Sequence, residues 1–266
     1  MLIAHLSDTH LMTPDTADDN QPAAQARVEN LSAAVARVNA LSPAVDAVIF
    51  TGDMAQHRAP EEYALAREIL SALTAPLYVI PGNRDCRATL RRNFAADGYM
   101  SGEGDAPILY AIDDYPVRLI GFDSQSGFER KGDVDAAKMQ WLDATLAQAP
   151  NTPSAVLMHH PPIPVYTSDY PWQWQREEAG NELASLFAAH PQVTRIFSGH
   201  SHRAYQDKLG DILVSTVPSI AVDLRLGDFE PQAETHPIFQ VHRFDSDNGF
   251  TSETIIADNA AINNAA

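Results

Sequence analysis

Leu2-Ile3-Ala4-His5-Leu6-Ser7-Asp8-Thr9-His10 opens the chain as a short apolar run that ends in a carboxylate and an imidazole. Followed by the polar segment Pro14 to Gln21, it reads as a strand from Leu2 to Ser7 whose end is handed to a loop. The same construction recurs along the chain. Ala47 to Phe50 delivers Gly52-Asp53, Leu77 to Ile80 delivers Pro81-Gly82-Asn83, Ala155 to Met158 delivers His159-His160-Pro161-Pro162, and Thr194 to Phe197 delivers Gly199-His200-Ser201-His202. Between the first three strands lie helical patterns. From Ala23 to Leu41, Val28, Leu31, Val35, Val38 and Leu41 recur at three and four residues, and Pro60 to Leu73 turns Tyr63, Ala66, Ile69, Leu70 and Leu73 inward. Further strands are expected at 108–112, 118–122, 212–217, 238–244 and 251–256, and helices at 135–147 and 177–189. Alternating strands and helices imply an α/β fold in one domain, 1–266, with the polar clusters gathered at the carboxyl ends of buried strands.

Composition narrows the partners. The chain has 266 residues, 45% of them apolar, which is ample for a well-filled core. With 18 basic against 35 acidic residues and a net charge of -17, it lacks the clustered cations that long DNA or RNA requires. Cys86 is the single cysteine, so neither an intramolecular disulfide nor a thiolate metal cage can form. The N-terminal apolar stretch is too short for a signal-peptide core and nothing later is long enough for a membrane span, so a cytoplasmic location away from the membrane is expected.

Asp8, His10, Asp53, Asn83, His159, His200 and His202 combine oxygen and imidazole nitrogen. That mixture suits two divalent transition-metal ions (Fe, Mn, Zn or Co) rather than calcium, which takes oxygen throughout. With Asp53 bridging ions ~3.5 to 4 Å apart, one ion takes Asp8, His10 and one late histidine, and the other takes Asn83, His159 and the second late histidine. Two such ions less two carboxylates leave about +2 at the site, which draws a phosphate into an acidic protein. A water shared by the ions loses its proton near neutral pH and can strike phosphorus, so no side-chain nucleophile is needed.

Taken together, Asp8-Thr9-His10, Gly52-Asp53, Gly82-Asn83, His159 and Gly199-His200-Ser201-His202 resemble the signature of calcineurin-like metallophosphoesterases, spread over residues 8 to 202. The wording around them, His5 to His10 and Met158 to Pro162, resembles bacterial class III cyclic nucleotide phosphodiesterases and binuclear glycerophosphodiesterases. The resemblance implies a four-layer α/β/β/α sandwich. It implies one ion on Asp8, His10, Asp53 and His202, and the other on Asp53, Asn83, His159 and His200. It also implies a small-molecule phosphodiester as substrate, with phosphomonoesterase or nucleotide pyrophosphatase activity as the alternative. A non-catalytic interaction module is the alternative of another class.

One position departs from the family pattern. Where His followed by an acid is usual after Gly-Asn, Arg84 precedes Asp85 here. Arginine stays charged and is a poor general acid, but it can clamp a phosphoryl oxygen, so Asn83 and Arg84 are the expected catalytic residues. Arg87 and Arg91 follow at helical spacing. They could orient a second anion, although a solvated helix face is the preferred reading. Asp123 could orient a ligand histidine or cap its own loop. His160 could support a ligand, whereas His5, His57, His190, His236 and His242 read as structural or surface residues and Cys86 as a packing residue. Tyr166, Tyr170, Trp172 and Trp174 crowd the segment Val165 to Gln175, which suits either an ester-binding cleft or a contact in a homo-oligomer.

Overall fold

The computed structural model describes residues 1–127, 129–176 and 178–258. The first three strands lie where the apolar runs place them: β1 (Leu2–Leu6), β2 (Ala47–Phe50) and β3 (Leu77–Val79). They run parallel, joined through helices α1 (Gln21–Asn39) and α2 (Pro60–Leu70). The last two strands, β10 (Ile238–Asp245) and β11 (Gly249–Ile256), add antiparallel to the free edge of β1, giving the order β11-β10-β1-β2-β3. A second sheet holds β4 (Tyr110–Ile112), β5 (Arg118–Gly121), β6 (Ser154–Leu157), β7 (Val193–Ser198), β8 (Tyr205–Leu209) and β9 (Ile212–Thr216) in the order β4-β5-β6-β7-β9-β8. Here β5, β6, β7 and β9 are parallel and the outer strands antiparallel. Helices α3 (Arg87–Phe94), α4 (Ala136–Ala147), α5 (Glu178–Ala188) and α6 (Pro231–Thr235) complete the fold, and Glu177, expected to begin the fifth helix, lies outside the described residues.

The period of two along the second sheet creates the layers. Leu119, Ala155, Leu157 and Phe197 turn toward Ile3, Ile49 and the rest of the first sheet, whereas their neighbours Ile120, Val156 and Ile196 turn away, onto Leu142 and Leu146 of α4 and Leu183 and Phe187 of α5. The outer face of the first sheet is covered by Leu31 and Val35 of α1, Tyr63 and Ala66 of α2, and Leu90 and Phe94 of α3. The result is the four-layer α/β/β/α sandwich, with both sheets facing each other inside.

Two elements had no apolar signal. Strand β8 reads Tyr-Gln-Asp-Lys-Leu and is largely exposed, an outer strand whose charges guard an open edge. The short α6 lay inside a polar spacer and buries only Ala233. No helix among the described residues is long and apolar enough to cross a membrane.

Between the sheets runs a polar thread. Ser252 Oγ meets His242 Nδ1 at 2.7 Å, His242 Nε2 meets His5 Nδ1 at 3.2 Å, His5 Nε2 meets Thr51 Oγ1 at 2.8 Å, and Thr51 donates to Ser7 Oγ at 2.8 Å. Burial, with a smaller contribution from the Arg195 charge and against the pull of Asp8, drives the His5 pKa down to about 3. Burial lowers His242 well below its usual value too. Both rings are therefore neutral when folded, while the unfolded chain binds protons below ~6.5. Stability should be constant from these groups above that pH and fall on acidification, by about 1.4 kcal/mol per pH unit for each ring. Urea titrations between pH 6.5 and 4.5 will check this; a flat unfolding free energy over that range contradicts it.

Candidate metal centre

Every parallel strand that the sequence marked ends in the same place. Asp8 and His10 leave β1, Asp53 leaves β2, Asn83 leaves β3, His159 leaves β6, and His200 and His202 leave β7. Glycine makes the convergence possible. A Cβ on Gly52 would lie 2.5 Å from the Gly82 nitrogen and 2.8 Å from His159 Nδ1. One on Gly82 would collide with the backbone and carboxylate of Asp53, and one on Gly199 with the Ser7 hydroxyl. The Gly-Asp, Gly-Asn and Gly-His pairs are thus steric requirements of loops packed backbone to backbone.

All seven candidate donors come together, in two groups. In the first, His202 Nε2 lies 3.3 Å from Asp8 Oδ1 and 3.1 Å from His10 Nε2, and His10 Nε2 lies 3.6 Å from Asp53 Oδ2. In the second, His159 Nε2 lies 3.2 Å from Asn83 Oδ1, 3.2 Å from His200 Nδ1 and 3.5 Å from Asp53 Oδ1. Each oxygen of Asp53 therefore faces a different group. Separations near 3.3 Å are those of atoms arranged around one small cation, since bonds of ~2.1 Å in a tetrahedron place ligand atoms about 3.4 Å apart. Asp8 Oδ1 is buried with no hydrogen-bond partner among the described residues, an orphaned acceptor that a cation would satisfy.

The far side of three of the four rings is fixed. His10 Nδ1 meets Gln56 Oε1 at 2.9 Å, His202 Nδ1 the Leu224 carbonyl at 2.9 Å, and His159 Nδ1 the Thr51 carbonyl at 2.6 Å. Arg27 reinforces the first group by donating to the His10 carbonyl at 2.9 Å and to Asp223 at 2.7 Å, beside Leu224. Asp85 staples two loops, accepting from Met54 N at 3.1 Å and Gly82 N at 2.8 Å. Asp8, His10, Asp53, His200 and His202 all adopt positive φ, between 45° and 67°. At about 1 kcal/mol apiece these cost on the order of 5 kcal/mol, a large part of the ~5–15 kcal/mol that holds a domain folded. Bonds such as Asp8 N to the Gly52 carbonyl at 2.9 Å and His10 N to the Asp53 carbonyl at 3.0 Å hold the strained backbone in place.

Charge follows the same division. Burial alone would raise Asp8, but His202, His10 and His159 outweigh it and hold the carboxyl well below its usual range. Burial likewise opposes ionisation of Asp53, and His159 overrides it. His159 in turn is pushed up to about 9, because Asp53 and Asp8 outweigh its burial. Burial and the neighbouring His159 push His160 down to about 3.

The site opens into a cleft of about 500 Å³, bounded on one side by Arg58 and Arg84 and elsewhere by Arg130, Ser168, Gln173 and Leu226. Ser201 also lines it, and its Oγ is buried with no partner among the described residues. Arg58 donates to the Asn83 carbonyl at 2.7 Å. Two expectations need correction. Arg87 is neither a solvated face nor an anion clamp: it pairs with buried Asp123 at 2.6 Å, tying α3 to the loop after β5. Arg91 is buried and donates to the carbonyls of Ser101, Gly104 and Ala106. Asp123 orients no histidine; it caps its loop through Gln125 N at 2.9 Å and Ile108 N at 2.9 Å. His160 is a support, with Nδ1 on Ser124 Oγ at 2.8 Å and Nε2 on the Arg130 carbonyl at 3.1 Å. The aromatic loop divides: Trp174 is fully buried, while Tyr166 and Tyr170 stand exposed.

The sequence reading assigned no role to Gln56, Arg27 or Asp85. Only Asp85 carried a signal, its place two residues after Asn83; carbonyls such as those of Thr51 and Leu224 carry none.

The profile of the family described as calcineurin-like phosphoesterase matches residues 1–204. The chain belongs to this family. Among curated relatives of this phosphoesterase, the glycerophosphodiester phosphodiesterase GpdQ of Enterobacter lignolyticus is 35% identical over 228 residues, covering 82% of this chain and 77% of the relative. The 3',5'-cyclic adenosine monophosphate phosphodiesterase CpdA of Escherichia coli is 28% identical over 183 residues, covering 68% of this chain and 62% of the relative. Among solved structures, a dimetal phosphatase from Danio rerio superposes with a TM-score of 0.66 at 14% identity over 97% of this chain and 99% of that one, which shows the shared fold.

Two outcomes are expected. Gly82→Ala should fold, by far-ultraviolet circular dichroism, yet retain less than half of the metal that the parent protein binds, measured by atomic emission; full loading would contradict the steric reading. Metal uptake should also weaken as pH falls from 9 to 6, because His159 must release a proton to become a ligand. In metal-free protein the sign reverses: stability from protonated His159 is full below ~6.5 and lost as pH rises through about 9. Tm of the stripped and loaded protein across that range measures both.

Proposed function

We propose that this chain is a two-metal phosphodiesterase acting on small phosphodiesters of the glycerophosphodiester or cyclic-nucleotide type. The observation that carries the proposal is Asp53, whose two oxygens each face one three-donor group, at 3.6 Å from His10 Nε2 and 3.5 Å from His159 Nε2. In this reading Asp8, His10, Asp53 and His202 hold one ion, and Asp53, Asn83, His159 and His200 the other, with Fe, Mn, Zn or Co as the fitting metals. When bound, such a pair supplies Lewis-acid activation of water and neutralises charge that builds on the phosphoryl group. The names of the GpdQ and CpdA relatives support a diester as substrate.

The chain's own residues do the rest. Arg84, whose backbone nitrogen donates to Asp53 Oδ1 at 2.6 Å, places its guanidinium in the cleft to hold a phosphoryl oxygen. Arg58 fixes the Asn83 backbone and so the reach of that loop. Outside the donor set, the described residues of the cleft include no good proton donor for a departing alkoxide, since arginine, serine and glutamine side chains are poor general acids. Without such a donor the rate should follow the acidity of the leaving alcohol, so activated aryl diesters should outrun the alkyl diesters of the proposed substrate class.

Stripped enzyme reloaded with Mn, Co, Zn or Fe should hydrolyse bis(p-nitrophenyl) phosphate faster than p-nitrophenyl phosphate. Absence of turnover with every ion defeats the proposal, and a faster monoester assigns the cleft to phosphomonoesterase chemistry. Arg84→Ala should lower kcat/KM by roughly 10- to 1000-fold with metal content unchanged, as for loss of a donor to the transition state; unaltered kinetics would remove Arg84 from the reaction.

A further inference from the structure

The cleft carries more positive charge than a simple diester can use. Arg58, Arg84 and Arg130 line it, and among the described lining side chains Asp53 is the one acidic residue. Elsewhere five arginines have carboxylate partners, Arg27 with Asp223, Arg67 with Asp97, Arg87 with Asp123, Arg118 with Asp113 and Arg176 with Asp133, while Arg91, Arg195 and Arg225 are engaged by carbonyls or hydroxyls. Among the described residues, neither Arg84 nor Arg130 has a carboxylate partner, in a protein with 35 acidic and 18 basic residues. Two divalent ions, less Asp8 and Asp53, plus the guanidinium groups of Arg84 and Arg130 amount to about +4, against the single negative charge of a diester.

Arg130 is placed to use the surplus. It belongs to the loop after β5, whereas Arg84 belongs to the loop after β3, so the two enter the cleft from different sheets. The Arg130 carbonyl accepts from His160 Nε2 at 3.1 Å, tying its backbone to the residue beside His159. Its guanidinium lies 5.4 Å from the centre of the Tyr170 ring, a stacking that fixes the plane while leaving the edge N–H groups for an oxyanion.

We propose that the preferred substrate carries a second anionic group, a phosphate or a carboxylate, on the alcohol portion beyond the scissile phosphorus, and that Arg130 binds it. The inference rests on the phosphodiesterase reading above. It is tested with manganese-loaded enzyme and three p-nitrophenyl phosphodiesters that differ only in the second ester group: ethyl, 2-carboxyethyl and 2-phosphoethyl.

The anionic esters should exceed the ethyl ester in kcat/KM by about 10- to 100-fold, as a charge-assisted pair implies. The larger of the two gains identifies phosphate or carboxylate as the group recognised. Arg130→Met should collapse the ratio toward one, and Arg130→Lys should restore part of it. Turnover of all three esters at similar rates overturns this inference and leaves the phosphodiesterase reading standing. A preference that survives in Arg130→Met overturns the assignment to Arg130. No turnover of any ester overturns both readings.

Discussion

Asp53 is shared between two groups of donors, and the molecule is arranged to keep its two oxygens apart in purpose. Its backbone carbonyl is engaged by His10 N at 3.0 Å and its Oδ1 by Arg84 N at 2.6 Å, so the side chain cannot swing wholly to either group. Gly82 approaches so closely that any larger residue would displace the carboxylate. Asp85, fastened to Met54 N and Gly82 N, joins the two loops from beneath, where burial and the charge of Asp53 push its own carboxyl up to about 7. A carboxylate held this tightly beside a second one, Asp8, in a water-poor setting is an anionic trap. The imidazoles around it relieve part of that strain in the absence of cations.

The electrostatics of the chain therefore have two scales. Over the whole surface the charge of -17 repels phosphate, yet the opening over the donors is walled by three arginines. A ligand entering there is selected by local field rather than by the distant one, which falls off over about 8–10 Å at ordinary salt. The histidines away from the cleft follow a different rule. His5, His242 and His160 are buried and neutral, and each finds hydrogen-bond partners on both ring nitrogens. They fill polar gaps between layers that an aliphatic side chain would leave unsatisfied.

Much of this is legible in the sequence alone. Apolar runs such as Ala47 to Phe50 are buried on both faces, so they are continuous and their ends are abrupt; the structure places β2 on those same four residues. The seven candidate donors stood out because each follows closely on such an end, and the structure brings them together. What could not be read lies in bonds without side-chain signatures. Arg87 and Arg91 have the spacing of an exposed helix face, yet Asp123 and three loop carbonyls draw them inward, and those partners are remote in sequence. Arg130 stands in a segment with no periodicity, and only the folding of the loop after β5 brings it to the cleft. The β8 strand was silent because an edge needs no apolar face.

The donor groups do not follow the sheets. His202, from the second sheet, completes the group that Asp8 and His10 begin in the first, and Asn83, from the first, sits with His159 and His200 from the second. The two halves of the polypeptide are consequently interlocked at their chemistry as well as at their core. Were the backbone severed in the connection ahead of β4, neither fragment would own all the candidate donors of either group, and any cation capture would become a readout of whether the pieces had found each other again.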